Sequence, residues 1–225
     1  MKLLAFETSG ETCSVALLID GEARQRLAHA PRRHGELLLG MADGLLAEAG
    51  LVLAGLDALA FGRGPGSFTG VRIATAVAQG VAFGADLPVV PVSTLAAMAR
   101  GAFRQQGLER CLVAIDARME QVYWGCYRIG SDGGASLEGD EAVLDPGAVP
   151  LPPGPGWHGV GSGWQAYGEV LRERLGDLLA GVADDMVCEA QDVASLAVAA
   201  LARGESVPAE EAIPVYLRDR VTFNG

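Results

Sequence analysis

The sequence predicts an α/β protein of two similar halves, each a mixed sheet flanked by helices. Three observations carry this expectation. Strand and helix signals alternate as βββαβαβα over residues 1–106. The second half opens with the same strand–turn–strand pattern as the first. Half of the 225 residues are apolar but only 6% are aromatic, so the cores must be filled mainly by Ala, Leu and Val, and intrinsic disorder is excluded.

The elements follow in order. Residues 3–8 and 13–19 read as strands joined by the turn Ser9-Gly10-Glu11-Thr12, and Asp20-Gly21 signals a hairpin into a more polar third strand over 22–29. Leu38, Met41, Leu45 and Leu46 at helical spacing predict a helix over 35–49, stopped by Gly50. A strand at 57–62, a Gly-rich loop, a helix to about Gly84, a strand at 88–92 and a helix at 93–106 complete this half. In the second half, residues 111–130 set on residues 2–21 at an offset of 109 pair Leu3 with Leu112, Ala5 with Ala114, Glu7 with Asp116, Glu11 with Glu120 and Gly21 with Gly130. An internal duplication with domains at 1–106 and 107–225 is expected, the last residues packing back on the first domain. The Pro/Gly-rich stretch 146–163 reads as loop, and helices are expected at 164–175 and 192–203.

Seventeen basic against 28 acidic residues leave a net charge of −11, which repels a phosphate backbone and argues against direct RNA or DNA binding. Cys13, Cys111, Cys126 and Cys188 form no CxxC pair, so neither a zinc site nor a disulfide framework is expected. The apolar run at the start breaks at Glu7, and no stretch has the length of a membrane span, so the expected location is the cytoplasm.

The most informative segment is GRGPGSFTGVRIA, residues 62–74. It runs from a strand through Gly62, Gly64, Gly66, Ser67, Phe68 and Thr69 to a helix starting near Thr69 or Gly70. Bare backbone amides at the carboxyl edge of a sheet suit either an anion or another backbone. The spacing fits neither GxGxxG, since Thr69 replaces the third glycine, nor a Walker loop, so a tight structural turn is the favoured reading over a nucleotide cradle. The helix it opens, residues 70–85, is apolar or small almost all round and needs cover beyond its own sheet, from the neighbouring helix or from a second chain. Glu7, Asp116 and Glu120 would make an acid–base or metal set only if the halves face each other across a cleft; otherwise they end strands and bind turn amides. Arg32-Arg33 and Arg218-Asp219-Arg220 read as solvated charge, and neither HExxH nor GxSxG is present.

In order and spacing, ETSGETCSVAL, RRHGELLLGMADGLL, GRGPGSFTGVRIA, PVSTLAAMA, DARMEQVYWGCY and PVYLRDRV resemble the bacterial TsaB (YeaZ) family over nearly the whole chain. That family belongs to the ASKHA superfamily, two duplicated RNase H-like domains of the actin/hexokinase/Hsp70 type. The resemblance implies a non-catalytic partner of TsaD, the transferase that forms N6-threonylcarbamoyladenosine next to the anticodon of tRNAs reading codons that begin with A. It further implies that TsaE joins the complex, that the chain homodimerises when alone, and that tRNA is met only through the complex. No cofactor is expected in the isolated chain; ATP or ADP and metal come through TsaD and TsaE.

The family's docking surface is built from its first two helices. On this chain it implies Leu38, Met41 and Leu45 from the first, and Arg72, Ile73, Ala74, Val77, Ala78 and Val81 from the second, with Ala78→Glu expected to abolish docking and leave the monomer folded. TsaD-like chains hold metal with an HxxxH pair; here His34 is followed four places on by Leu38, so the pair is broken. The superfamily's phosphate turns want an acid followed closely by Gly. Glu7-Thr8-Ser9-Gly10 carries Glu for Asp, and Asp116-Ala117-Arg118-Met119 has no Gly, leaving Glu7, Ser9, Gly10, Asp116 and Arg118 as a vestigial or composite nucleotide site. The run GVGSG at 159–163 is a candidate relic of an adenosine-binding turn. The competing readings are an ASKHA-type ATPase or phosphotransferase and, less favoured, a peptidase.

Overall fold

The computed structural model describes residues 1–218. Its first sheet comprises β1 (Lys2–Glu7), β2 (Thr12–Ile19), β3 (Glu22–His29), β4 (Ala58–Gly62) and β5 (Val89–Val92), with α1 (His34–Ala49), α2 (Phe68–Ala85) and α3 (Thr94–Gln106) between or after them. The second comprises β6 (Arg110–Asp116), β7 (Val122–Ile129), β8 (Ala135–Leu137), β9 (Ala142–Leu144), β10 (Trp157–Val160) and β11 (Leu179–Ala183), with α4 (Ser162–Leu175) and α5 (Ala190–Ala202).

The strand orders, β3-β2-β1-β4-β5 and β8-β7-β6-β10-β11, are the same arrangement twice, with β9 added beside β7. In each, three antiparallel strands meet two parallel ones. The duplication is therefore present in topology.

Five layers result. Leu4, Phe6, Val15, Leu17, Leu59 and Phe61 point to an outer core under α1 and α2. Leu112, Ala114, Trp124 and Trp157 do the same under α4 on the far side. Between the sheets, Leu3, Ala5, Ala16, Cys111, Val113 and Tyr127 meet α3 and α5 in a central core. Full burial of a Leu, Val or Phe side chain contributes about 1.5–3 kcal/mol relative to exposure. The helix ending each half lies on the other half's sheet: α3 packs on β6, β7 and β8, and α5 on β1, β2 and β4. A cut at 106/107 thus separates the sheets but strands each last helix on the wrong side. Arg104 of α3 fastens the crossed helices by a fork of hydrogen bonds to buried Asp192 of α5, at 3.0 and 2.9 Å.

Two expectations need correction. Residues 146–163 are not all loop: β10 lies inside them, paired on both sides between β6 and β11, with Trp157 fully buried and its indole donating to the Gly154 carbonyl at 3.0 Å. The strand was hidden because it is four residues long and set among Pro and Gly. The repeat is also misregistered on its first strand. Leu3 faces the central core whereas Leu112 faces the outer one, so the structural counterpart of Leu3 is Cys111. A one-residue slip turns every side chain to the other face, and it removes the pairing of Glu7 with Asp116.

Candidate functional site

Around the Gly-rich loop, three glycines make room for the chain's own β1–β2 turn. A Cβ at Gly62 would collide with the Glu7 carboxylate, one at Gly66 with the Ser9 carbonyl and Cβ, and one at Gly70 with the Thr8 carbonyl. The contact is sealed by hydrogen bonds: Thr8 Oγ1 donates to the Gly70 carbonyl at 2.7 Å, and the Ser67 amide to the Ser9 carbonyl at 2.7 Å. Gly64 takes the left-handed conformation at φ 97° that carries the loop toward α2. The Ser67 hydroxyl accepts from the Gly70 amide, so α2 starts at Phe68, just ahead of the expected Thr69. The loop is thus packed as a turn against the backbone of Thr8 and Ser9.

Glu7 is buried, and its carboxylate accepts from the Ser9 amide. Burial raises its carboxyl above the ordinary 4.5, an effect only partly offset by Ser9 and by the Cys188 thiol beside it. A folded-state value above the unfolded one means stability present at low pH and lost as pH rises through the folded value. Glu7→Gln is therefore expected to match the wild type below the ordinary carboxylate range and to become the more stable chain as pH rises. Urea midpoints from about pH 4 to about pH 9 test this; a gap that closes with rising pH would contradict it.

Asp116 lies on the other side of its sheet. It accepts from the Arg118 amide at 2.8 Å, pairs with the Arg118 guanidinium at 2.9 Å and receives the Tyr167 hydroxyl of α4 at 3.3 Å. Glu7 and Asp116 therefore do not converge, and Glu120 is in the exposed turn. Gly10 is exposed at the β1–β2 turn. Gly161 and Gly163 of the GVGSG run close on Ala114 of β6, so they serve the packing of α4. Among the described residues, no three His, Cys, Asp or Glu side chains come together as a metal site, and no helix is long and apolar enough to cross a membrane. His34 begins α1 as a buried side chain, and Leu38 is in the outer core.

The docking face needs its own correction. Leu38, Leu45, Ala74 and Ala78 lie in the outer core of this chain, Ala78 at 0% exposure. Ala78→Glu would bury an unpaired charge and break the fold, so it does not test docking. Met41, Ile73, Val77 and Val81 are half-buried against the same core. The solvent side of α2 carries Phe68, Arg72, Ala76, Gly80 and Phe83, the last 81% exposed, with Leu39 of α1 also open. Ala76, Gln79, Gly80 and Phe83 form one wall of an open groove of about 530 Å³, and Ala209 and Glu210 form the other. At the start of α2 the Arg72 guanidinium stacks on Phe68 at 3.2 Å and faces Tyr216 at 5.0 Å.

The second wall belongs to the tail, which was expected to pack back on the first domain but not to line a groove. Arg218, read as solvated charge, instead donates to the Ala117 carbonyl at 3.2 Å and to Gln121 Oε1 at 2.7 Å. Arg220 lies outside the described residues.

A duplicated two-sheet α/β chain with crossed terminal helices, close-packed turns and an apolar helix face left open defines a protein of the duplicated ASKHA-like fold. The family model for TsaD, tRNA N6-adenosine threonylcarbamoyltransferase, matches residues 28–221. The tRNA threonylcarbamoyladenosine biosynthesis protein TsaB of Escherichia coli is 43% identical over 99% of this chain and 97% of its own length. YeaZ from Pseudomonas aeruginosa superposes with a TM-score of 0.89 at 50% identity, covering 96% of this chain and 99% of that one. A second solved chain, described as similar to peptidase YEAZ from Pseudomonas aeruginosa, gives 0.90 at 50% identity, with the same coverage of both chains. The chain belongs to the TsaB family.

Proposed function

We propose that this chain acts in the cytoplasm in tRNA threonylcarbamoyladenosine biosynthesis as the non-catalytic partner of TsaD. The observation that carries the reading is the solvent side of α2, where Phe68, Ala76, Gly80 and Phe83 leave an apolar, small-residue surface on a folded monomer. Such a surface stays wet at a cost of about 25 cal/mol per Å² of apolar area, which a partner, or a second copy when TsaD is absent, relieves. Small residues let a foreign helix approach closely. The close-packed turn at Glu7–Ser9 supports the same reading, because nucleotide and metal then have to come through TsaD and TsaE. A net charge of −11 suits a subunit that meets tRNA only through the complex.

The test is reconstitution of tRNA modification from purified components with and without the chain, beside calorimetry of the chain alone with ATP. Modification that depends on the chain, and no heat with ATP, is the expected outcome. Turnover of a nucleotide or a peptide by the chain alone would overturn the reading in favour of an ATPase or a peptidase. Against the latter, Ser67 Oγ serves as the cap of α2 and Ser9 is buried beneath the Gly-rich loop.

A further inference from the structure

We propose that residues 205–218 form a strap that couples the open face of α2 to the β6–β7 turn of the second half. This rests on the reading of that face as the TsaD-docking site and adds to it a route by which docking is felt elsewhere. The strap has anchors along its length. Val207 exchanges backbone hydrogen bonds with Val89 at the edge of the first sheet, at 2.8 and 2.9 Å. The 209–211 turn walls the groove, and Gln79 of α2 donates to the Ala212 carbonyl at 2.8 Å. The Val215 amide donates to the Arg63 carbonyl at 2.8 Å, and the Tyr216 ring closes on Arg72. Arg218 then reaches the second half.

The turn it reaches is strained. Arg118, Met119 and Glu120 have φ of 61°, 54° and 58°, three consecutive left-handed residues without a glycine among them. Such conformations persist only where surrounding contacts over-determine them. Within the turn, the Ala117 amide donates to the Gln121 carbonyl at 2.9 Å and the Gln121 amide to the Arg118 carbonyl at 3.2 Å. Arg218 supplies the clamp from outside, holding the Ala117 carbonyl and the Gln121 side chain, with Met119 Sδ at 3.3 Å. The turn is thus a two-state element: held by Arg218, or released and relaxed. A ligand moves such an equilibrium only by touching one state differently from the other. A partner seated on α2 does so, since Glu210 and Tyr216 are part of the surface it covers. Docking holds the strap down and tightens the clamp.

Amide hydrogen exchange of the full chain tests this, with wild type, Arg218→Ala and, as a second way to free the strap, Val215→Pro, which deletes the amide bonded to Arg63. In the chain alone, Arg218→Ala is expected to speed exchange at 117–121 by about tenfold or more while α4 and β10 keep their protection, showing that the fold is intact. Added TsaD is expected to slow exchange at 117–121 in wild type and in neither variant. Equal exchange at the turn in wild type and Arg218→Ala would overturn the clamp. TsaD-dependent protection persisting in both variants would overturn the coupling. Failure of TsaD to bind the wild type would overturn the docking reading, leaving the clamp measured in the isolated chain as a separate result.

Discussion

A chain carrying Gly80→Arg is expected to keep its fold and lose TsaD. Gly80 is exposed in the middle of α2, and a Cβ there meets nothing within 4 Å, so the chain itself has room for a side chain. Replacing a mid-helix glycine by a good helix former stabilises the helix by about 0.5–1 kcal/mol, so melting is expected to rise slightly or stay. Binding goes the other way. A long cation set between Ala76 and Phe83 fills the groove where a partner's backbone has to approach, and disruption at the centre of an interface typically costs at least ~2 kcal/mol, roughly 30-fold in Kd or more. Gly80→Ala, adding one methyl, is the control that gains helix stability and loses much less affinity. Calorimetric titration against TsaD beside thermal melts of the isolated chains reads both quantities. Wild-type affinity in the arginine variant would remove this face from the interface.

Gly70→Ala is expected to be the most damaging single methyl in the molecule. Its Cβ would run into the Thr8 carbonyl, a backbone atom held in the β1–β2 turn, and would displace the Thr8 hydroxyl from the Gly70 carbonyl. Overpacking of this kind with a buried hydrogen bond lost is worth about 3 kcal/mol, or roughly 6–12 °C of melting temperature for a chain of this size. Thermal melts of the variant read it. A variant that melted with the wild type would mean that the turn moves aside readily and that the loop is not tightly packed on Thr8 and Ser9.

Local pattern carried much of this fold. The Asp20-Gly21 hairpin, the apolar spacing of Leu38, Leu45 and Leu46, and the helix expected over 93–106 each sit where local pattern places them. The family motifs alone pointed to the TsaB family of tRNA threonylcarbamoyladenosine biosynthesis proteins. What sequence could not give was direction. An apolar period identifies a buried face only when the opposite face is polar, and α2 has Ala, Gly or Val on nearly every side. Ala74 and Ala78 looked as fit for a partner as Ala76 and Gly80; only the packing of sheet one tells them apart. The mispairing of Glu7 with Asp116 has a similar origin: two β-strands of matching composition align equally well one residue apart, although the side chains then point into different layers. Arg218 was unreadable because its partners are carbonyls of a turn about a hundred residues earlier, which no local pattern announces.

The crossing of α3 and α5 has a consequence for how the chain is made. Leu3, Ala5 and Ala16 emerge from the ribosome early, yet the helix that covers them spans residues 190–202. At about 5–20 residues per second that cover arrives roughly 10–40 s after the first strand. During that interval the nascent N-terminal half exposes an unshielded apolar sheet, so demand for chaperones should peak before termination. Severing the gene into two separately expressed halves should yield insoluble products unless both are made together.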